Sequence, residues 1–151
     1  MKQIGILFFL MFILFGCKKD DGLSAQEQFE IDLEMIDAYL DENDIQADVH
    51  ESGIRYVTNV EGGGISPGVT DNVTVKYKGT LFDGTVFDQN PSISFNLSGL
   101  IPAWQIMIPE MNVGGKITMY APSGYCYGTR GSGSIPPNTN LIFEVELLSV
   151  N

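Results

Sequence analysis

Apolar and polar residues alternate along several stretches of this chain, and the clearest runs from residue 72 to 88, NVTVKYKGTLFDGTVFD. Val73, Val75 and Tyr77 are separated by Thr74, Lys76 and Lys78, a period of two that predicts a strand with one buried face. Asp83-Gly84 then predicts a tight turn, so the stretch reads as a strand entering a hairpin that ends on Phe87 and Asp88. The same reading predicts strands over 54–60, through Ile93, Phe95 and Leu97, and over 116–120. A last strand follows through Leu141, Phe143, Val145 and Leu147, with Glu144 and Glu146 on its exposed face. A different period governs 29–40. Phe29, Leu33, Ile36 and Leu40 recur every three or four residues, the stripe of an amphipathic helix. Ser24-Ala25-Gln26-Glu27 has the form of a capping box that starts this helix, and 41–44 should end it. Pro102 suits the first turn of a short second helix, with Trp104 and Ile108 on one face and Pro109 as its stop.

The periodic segments thus predict a strand-rich domain with one short helix and two long loops, 61–68 and 124–137. The first loop, EGGGISPG, has three glycines but no Gly-Lys-Ser/Thr and no following helix, so it is a poor phosphate cradle. No internal repeat or low-complexity tract interrupts the pattern.

Composition sharpens the picture in two ways. At 151 residues and 44% hydrophobic content the chain can bury one core, and its length asks for no second domain. The net charge of −11, from 8 Lys and Arg against 19 Asp and Glu, argues against nucleic acid, which needs a basic patch. Of the acidic residues, 12 lie between positions 20 and 51, so the excess belongs to the helix and its flanks.

The first residues carry a separate signal. Lys2 precedes an apolar run from Ile4 to Phe15 that is too short to span a bilayer comfortably and reads as a secretory leader. The run ends in Leu14-Phe15-Gly16-Cys17, which resembles the lipobox of bacterial lipoproteins, where cleavage precedes a cysteine that then carries lipid. That resemblance implies a signal peptide over 1–16, lipidation at Cys17 and membrane attachment through it. Residues 17–51 then form an acidic linker and helix, and 52–151 the main domain. Lys18-Lys19-Asp20-Asp21 looks like the surface-export signal of some Gram-negative lipoproteins and fits a solvated spacer equally well. An outer-membrane location follows, with the periplasmic and surface faces both open. With Cys17 so explained, a disulfide to Cys126 is not expected. The helical stripe has two readings, packing on the main domain or acting as a homodimer arm or spacer.

Chemistry-bearing residues are few. His50 is the only histidine and lies outside the strand-rich part, which leaves no base for Ser-His or Cys-His nucleophilic catalysis. No His, Cys and carboxylate grouping has metal-ligand spacing, and no cofactor motif stands out. Cys126 reads as a small buried residue. What remains is aromatic: Tyr77, Phe87, Trp104, Tyr127 and Phe143 fall on separate elements beside loops. They fit an ordinary core or an apolar pocket.

A resemblance bears on that choice. VTVKYKGTLFDGTVFD, LIPAW, MNVGGKITMYAPSGYCYG and IPPNTNLIFEVELL are similar, in order and spacing, to the FK506-binding family of peptidyl-prolyl isomerases. The resemblance implies an α+β fold, an antiparallel sheet wrapped around a short helix, here preceded by the amphipathic helix. It implies a proline pocket with Trp104 as floor and Tyr77, Phe87 and Phe143 as walls. Asp88 is then the polar residue beside them, and Tyr127 supplies the hydroxyl for the ligand carbonyl. Ile101 offers a backbone donor, while Ile93, Leu100 and Ile135 add apolar contacts. Proline-containing polypeptides are the implied substrates, FK506-like macrolides possible ligands, and no cofactor is implied. A chaperone module that docks the same peptides with little turnover would use the same pocket. The family's arginine after the aspartate is missing from Gln89-Asn90-Pro91-Ser92, and Ala103 replaces the usual glycine before the tryptophan.

Such an inventory suits the reaction. An X-Pro bond isomerises over a barrier of ~18–20 kcal/mol because amide resonance must be lost, and this step needs no nucleophile or metal. The twisted amide is less polar than the planar one, so a dry aromatic pocket favours it. Lowering the barrier by ~4 kcal/mol gives about a thousandfold acceleration.

Overall fold

The computed structural model describes residues 22–151; the leader, Cys17 and the Lys18-Lys19-Asp20-Asp21 cluster lie outside the described residues. The chain runs α1 (Ala25–Glu42), β1 (Asp48–Val49), β2 (Arg55–Val60), β3 (Asn72–Thr80), β4 (Val86–Asn96), α2 (Pro102–Met107), β5 (Lys116–Ala121) and β6 (Leu141–Val150). Its six strands form one sheet in the order β1-β2-β5-β6-β3-β4. Every neighbouring pair is antiparallel.

Alternation sorts side chains between the two faces. Val73, Val75, Ile117, Met119, Phe143, Val145 and Leu147 share one buried cluster with Ala103, Trp104 and Met107 of α2. On the opposite face Tyr120 and Ile142 meet Ile36 and Leu40 of α1. The fold is therefore the expected antiparallel sheet over a short helix, with the amphipathic helix behind it. The capping box also forms, since Ser24 Oγ accepts from Glu27 N at 3.2 Å and Glu27 Oε2 accepts from Ser24 N at 2.9 Å.

The α1 stripe finds its cover within its own chain. Ile36 is fully buried and Phe29 stands edge-on to Tyr125, with centroids 5.7 Å apart. Gly53, at φ +91°, lets the chain pass beneath the helix, because a Cβ there would lie 2.9 Å from the Phe29 ring. Arg55 grips Asp37 with two parallel bonds of 2.8 and 2.7 Å.

Two elements differ from the sequence pattern. The residues through Ile93, Phe95 and Leu97 are not a separate short strand. They belong to β4, which continues unbroken from Val86, while Leu97 opens a 3-10 turn over Leu97–Gly99. Pro91 does not end the strand because β4 is the sheet's last strand, with one edge that needs no ladder donor. Register shifts between Val75 and Tyr77 and between Gly79 and Thr80 absorb the irregularity. The α-helix of α2 stops at Met107 as Pro109 requires, but the chain winds on through one 3-10 turn, Ile108–Glu110.

Candidate active site

Trp104 lies at the centre of the inner face because Pro102 starts α2 at the end of the loop from β4, which turns the indole against the sheet. Three rings stand nearly perpendicular to it: Tyr77 at 5.1 Å and 82°, Phe143 at 5.7 Å and 88°, and Phe95 at 6.1 Å and 85°. Phe87 meets Phe143 edge-on at 5.7 Å. Each such pair adds ~0.5–1.5 kcal/mol beyond its buried area, so the cluster holds its shape without a ligand. Trp104 is only 4% exposed, whereas Tyr77, Phe87, Phe95 and Tyr127 are half-buried. The arrangement is a buried floor with partly accessible walls.

Polar groups sit at the rim. The Tyr77 hydroxyl donates to Asp88 Oδ2 at 2.5 Å, a contact built by β3 and β4 pairing and requiring no arginine. Burial, then the hydrogen bond to Asp88 and its negative charge, raise the Tyr77 pKa well above the ordinary phenol value. Tyr127 is shifted the same way, first by burial, then by Cys126 and the Asp88 carboxylate. Both hydroxyls thus stay protonated and able to donate. The Trp104 indole N–H is buried without a partner among the described residues. Such a group is costly to strand and is available to an incoming acceptor.

The remaining predicted residues gather around the same centre. Ile93, Leu100 and Ile101 are half-buried against the Trp104 core and Ile135 is buried within it. Ile101 caps α2 through its carbonyl, which accepts from Trp104 N and Gln105 N, while its own N–H has no backbone acceptor among the described residues. Tyr127 and Ile135 share one loop, folded on itself by Gly131 N to Tyr127 O at 3.2 Å, Asn138 N to Gly128 O at 2.8 Å and a Ser132–Ile135 bridge. Cys126 is a free thiol whose pKa is raised by burial, which makes it a poor nucleophile.

Phe95 is the pocket residue that sequence reasoning passed over. Its signal was present, since it lies two residues beyond Ile93 and so faces the same side. A depression of about 670 Å³ lies elsewhere, on the outer face of the sheet among Lys76, Lys78, Lys116, Glu144 and Glu146. Its charges largely satisfy one another, Lys78 with Glu144 at 3.1 Å and Lys116 with Glu146 at 3.2 Å. Tyr77 is the one aromatic residue in its lining, whereas three rings pack against Trp104 on the inner face.

A sequence model of the FKBP-type peptidyl-prolyl cis-trans isomerases matches residues 63–148, the stretch that holds every one of these site residues. The chain belongs to that family. It is 43% identical over 104 residues, 66% of its length, to the FKBP-type peptidyl-prolyl cis-trans isomerase FkpA of Aeromonas hydrophila, of which it covers 39%. It is 40% identical over 104 residues, again 66% of its length, to the outer membrane protein MIP of Legionella longbeachae, of which it covers 45%. The chain therefore spans less than half the length of either relative. A crystal structure of a peptidyl-prolyl cis-trans isomerase from Pseudomonas syringae pv. tomato matches with a TM-score of 0.71 at 30% identity, covering 86% of this chain and 99% of that one. That match covers more of this chain than the 63–148 stretch.

Proposed function

We propose that this chain is a peptidyl-prolyl cis-trans isomerase that accelerates X-Pro isomerisation during folding of exported proteins. The observation that carries this reading is the buried Trp104 floor ringed by Tyr77, Phe95 and Phe143, with two protonated tyrosine hydroxyls at its rim. The prolyl ring sits on the indole and is dried by the walls, while Tyr127 donates to the carbonyl of the twisting bond and the Ile101 N–H donates to a neighbouring carbonyl. Phe87, Phe143, Ile93, Leu100 and Ile135 shape the slot. Asp88 orients Tyr77. Hydrogen bonds to the neutral carbonyl survive the rotation, whereas water's competition for the amide is removed, so the less polar twisted state gains most. FK506-like macrolides fit the same slot.

Residues 1–16 act as a signal peptide, Cys17 carries the lipid, and the domain over 52–151 is held at the cell envelope. The outer-membrane name of the Legionella relative supports that location. Self-association through α1 would use its outward Ile31 and Met35, since the inward stripe is already covered. Exchange NMR on an X-Pro peptide tests the activity, and binding without acceleration would make the domain a docking module instead. Metabolic labelling with a fatty acid tests Cys17: Cys17→Ser should abolish incorporation.

A further inference from the structure

Asp32 is fully buried, yet among the described residues no cation pairs with it. Its environment is instead built from neutral donors. Oδ2 accepts from Ser123 N at 2.8 Å and Ser123 Oγ at 2.6 Å, and Oδ1 accepts from Gln28 Nε2 at 2.7 Å. Asn140, also buried, completes the unit: its Nδ2 donates to the Asp32 carbonyl at 3.0 Å and its Oδ1 accepts from Ser123 N at 3.0 Å. A carboxylate kept in the interior without a counter-charge is expensive, and a merely structural helix contact would be made more cheaply by an apolar side chain.

What the carboxylate joins explains its presence. Ser123 opens the loop that carries Tyr127 and Ile135, and Asn140 is the residue before β6 begins at Leu141. The two ends of the active-site loop are therefore tied to one residue of α1, Ser123 through the Asp32 carboxylate and Asn140 through the Asp32 backbone carbonyl, and to each other through Ser123 N and Asn140 Oδ1. Phe29, one turn earlier on the helix, braces Tyr125 inside the same loop. The loop bonds to itself through several backbone contacts, and Asp32 ties its base to α1.

We propose that Asp32 is a positioning residue for prolyl isomerisation, clamping the base of the 123–140 loop so that Tyr127 and Ile135 stay over Trp104. This rests on the isomerase reading above and adds to it that α1, outside the matched 63–148 stretch, is part of the working site.

The test uses the full chain and two readouts. Asp32→Asn keeps the shape but places an amide donor against Gln28 or Ser123. It should lower kcat/KM for an X-Pro peptide about tenfold in the parent, but less than twofold in a Tyr127→Phe background, because the loss runs through Tyr127. Amide exchange at Gly131 and Asn138 should quicken about tenfold. Glu34→Gln, a change on the exposed face of the same helix, should leave both readouts at the parental level. Ser123→Ala removes only the hydroxyl donor, and should move both in the Asp32→Asn direction, which keeps the test alive if Asp32→Asn does not fold. Equal losses of kcat/KM in both backgrounds, or parental exchange at Gly131 and Asn138, would overturn the proposal. A parent without turnover would instead refute the isomerase reading, with the clamp still judged by amide exchange.

Discussion

Gly79→Ala tests whether the Phe87 wall matters to turnover. Gly79 is buried on β3, paired with Asp88 on one side and Phe143 on the other. A Cβ built there would lie 2.4 Å from Cζ and 2.6 Å from Cε2 of the Phe87 ring. Carbon atoms rest ~3.5–4.0 Å apart, so the ring must retreat by roughly 1 Å or more. It can do so, being half-buried, but the edge-on contact with Phe143 at 5.7 Å is then lost or strained. Overpacking costs ~1–3 kcal/mol, offset by ~0.5–1 kcal/mol because alanine loses less backbone entropy than glycine. The domain should stay folded. If about 1.4 kcal/mol of the ring contact is felt in the transition state, kcat/KM falls about tenfold. The assay is isomer-specific proteolysis of an X-Pro peptide, with aromatic NMR shifts to show that the ring has moved. A displaced Phe87 with kcat/KM within twofold of the parent would show that the Phe87 wall plays no part in turnover.

Other outcomes follow from single contacts. Ile36→Ala opens a hole between α1 and the sheet, and should cost ~2–5 kcal/mol in denaturant unfolding, whereas a dispensable helix would cost almost nothing. The pKa values of Tyr77 and Tyr127 are raised by burial, so the folded state keeps their protons where the unfolded chain, with ordinary phenols near ~10, loses them. Their contribution to stability is complete below ~10 and falls as pH rises beyond it, while kcat/KM stays flat through neutral and mildly alkaline pH. A urea midpoint that rises with pH in that range would contradict the sign. Asp88→Asn removes the charge but keeps an acceptor for Tyr77, so an NMR titration should find the Tyr77 pKa lowered toward the ordinary value; an unmoved titration would show that Asp88 is not its main polar partner.

Much of this architecture was legible because it depends on local rules. The Ser24 cap, the Asp83-Gly84 turn and the alternation of β3 and β6 each follow from a few neighbouring residues, and all three formed. In the turn, Asp83 Oδ1 accepts from Thr85 N at 2.8 Å, which local sequence alone specifies. The misses depend on distant partners. Ile93 and Phe95 read as a separate strand because a strand that continues through Pro91 needs a place at the sheet edge, a property of strand order that no local pattern reports. Asp32 read as one more charge on an acidic helix, since Ser123 and Asn140, which bury it, lie 91 and 108 residues away. Asp88 lacked its family arginine in sequence, yet Tyr77, diagonally across from it on β3, holds it directly.

The central claim is that Trp104 and Tyr127 form a site that turns over, rather than only binds, a prolyl bond. Exchange NMR of an X-Pro peptide with catalytic amounts of the chain measures this directly. Cis–trans exchange should be accelerated well beyond the uncatalysed tens to hundreds of seconds, with Trp104→Ala and Tyr127→Phe each losing at least about tenfold. Peptide binding without faster exchange, or variants as active as the parent, would contradict it.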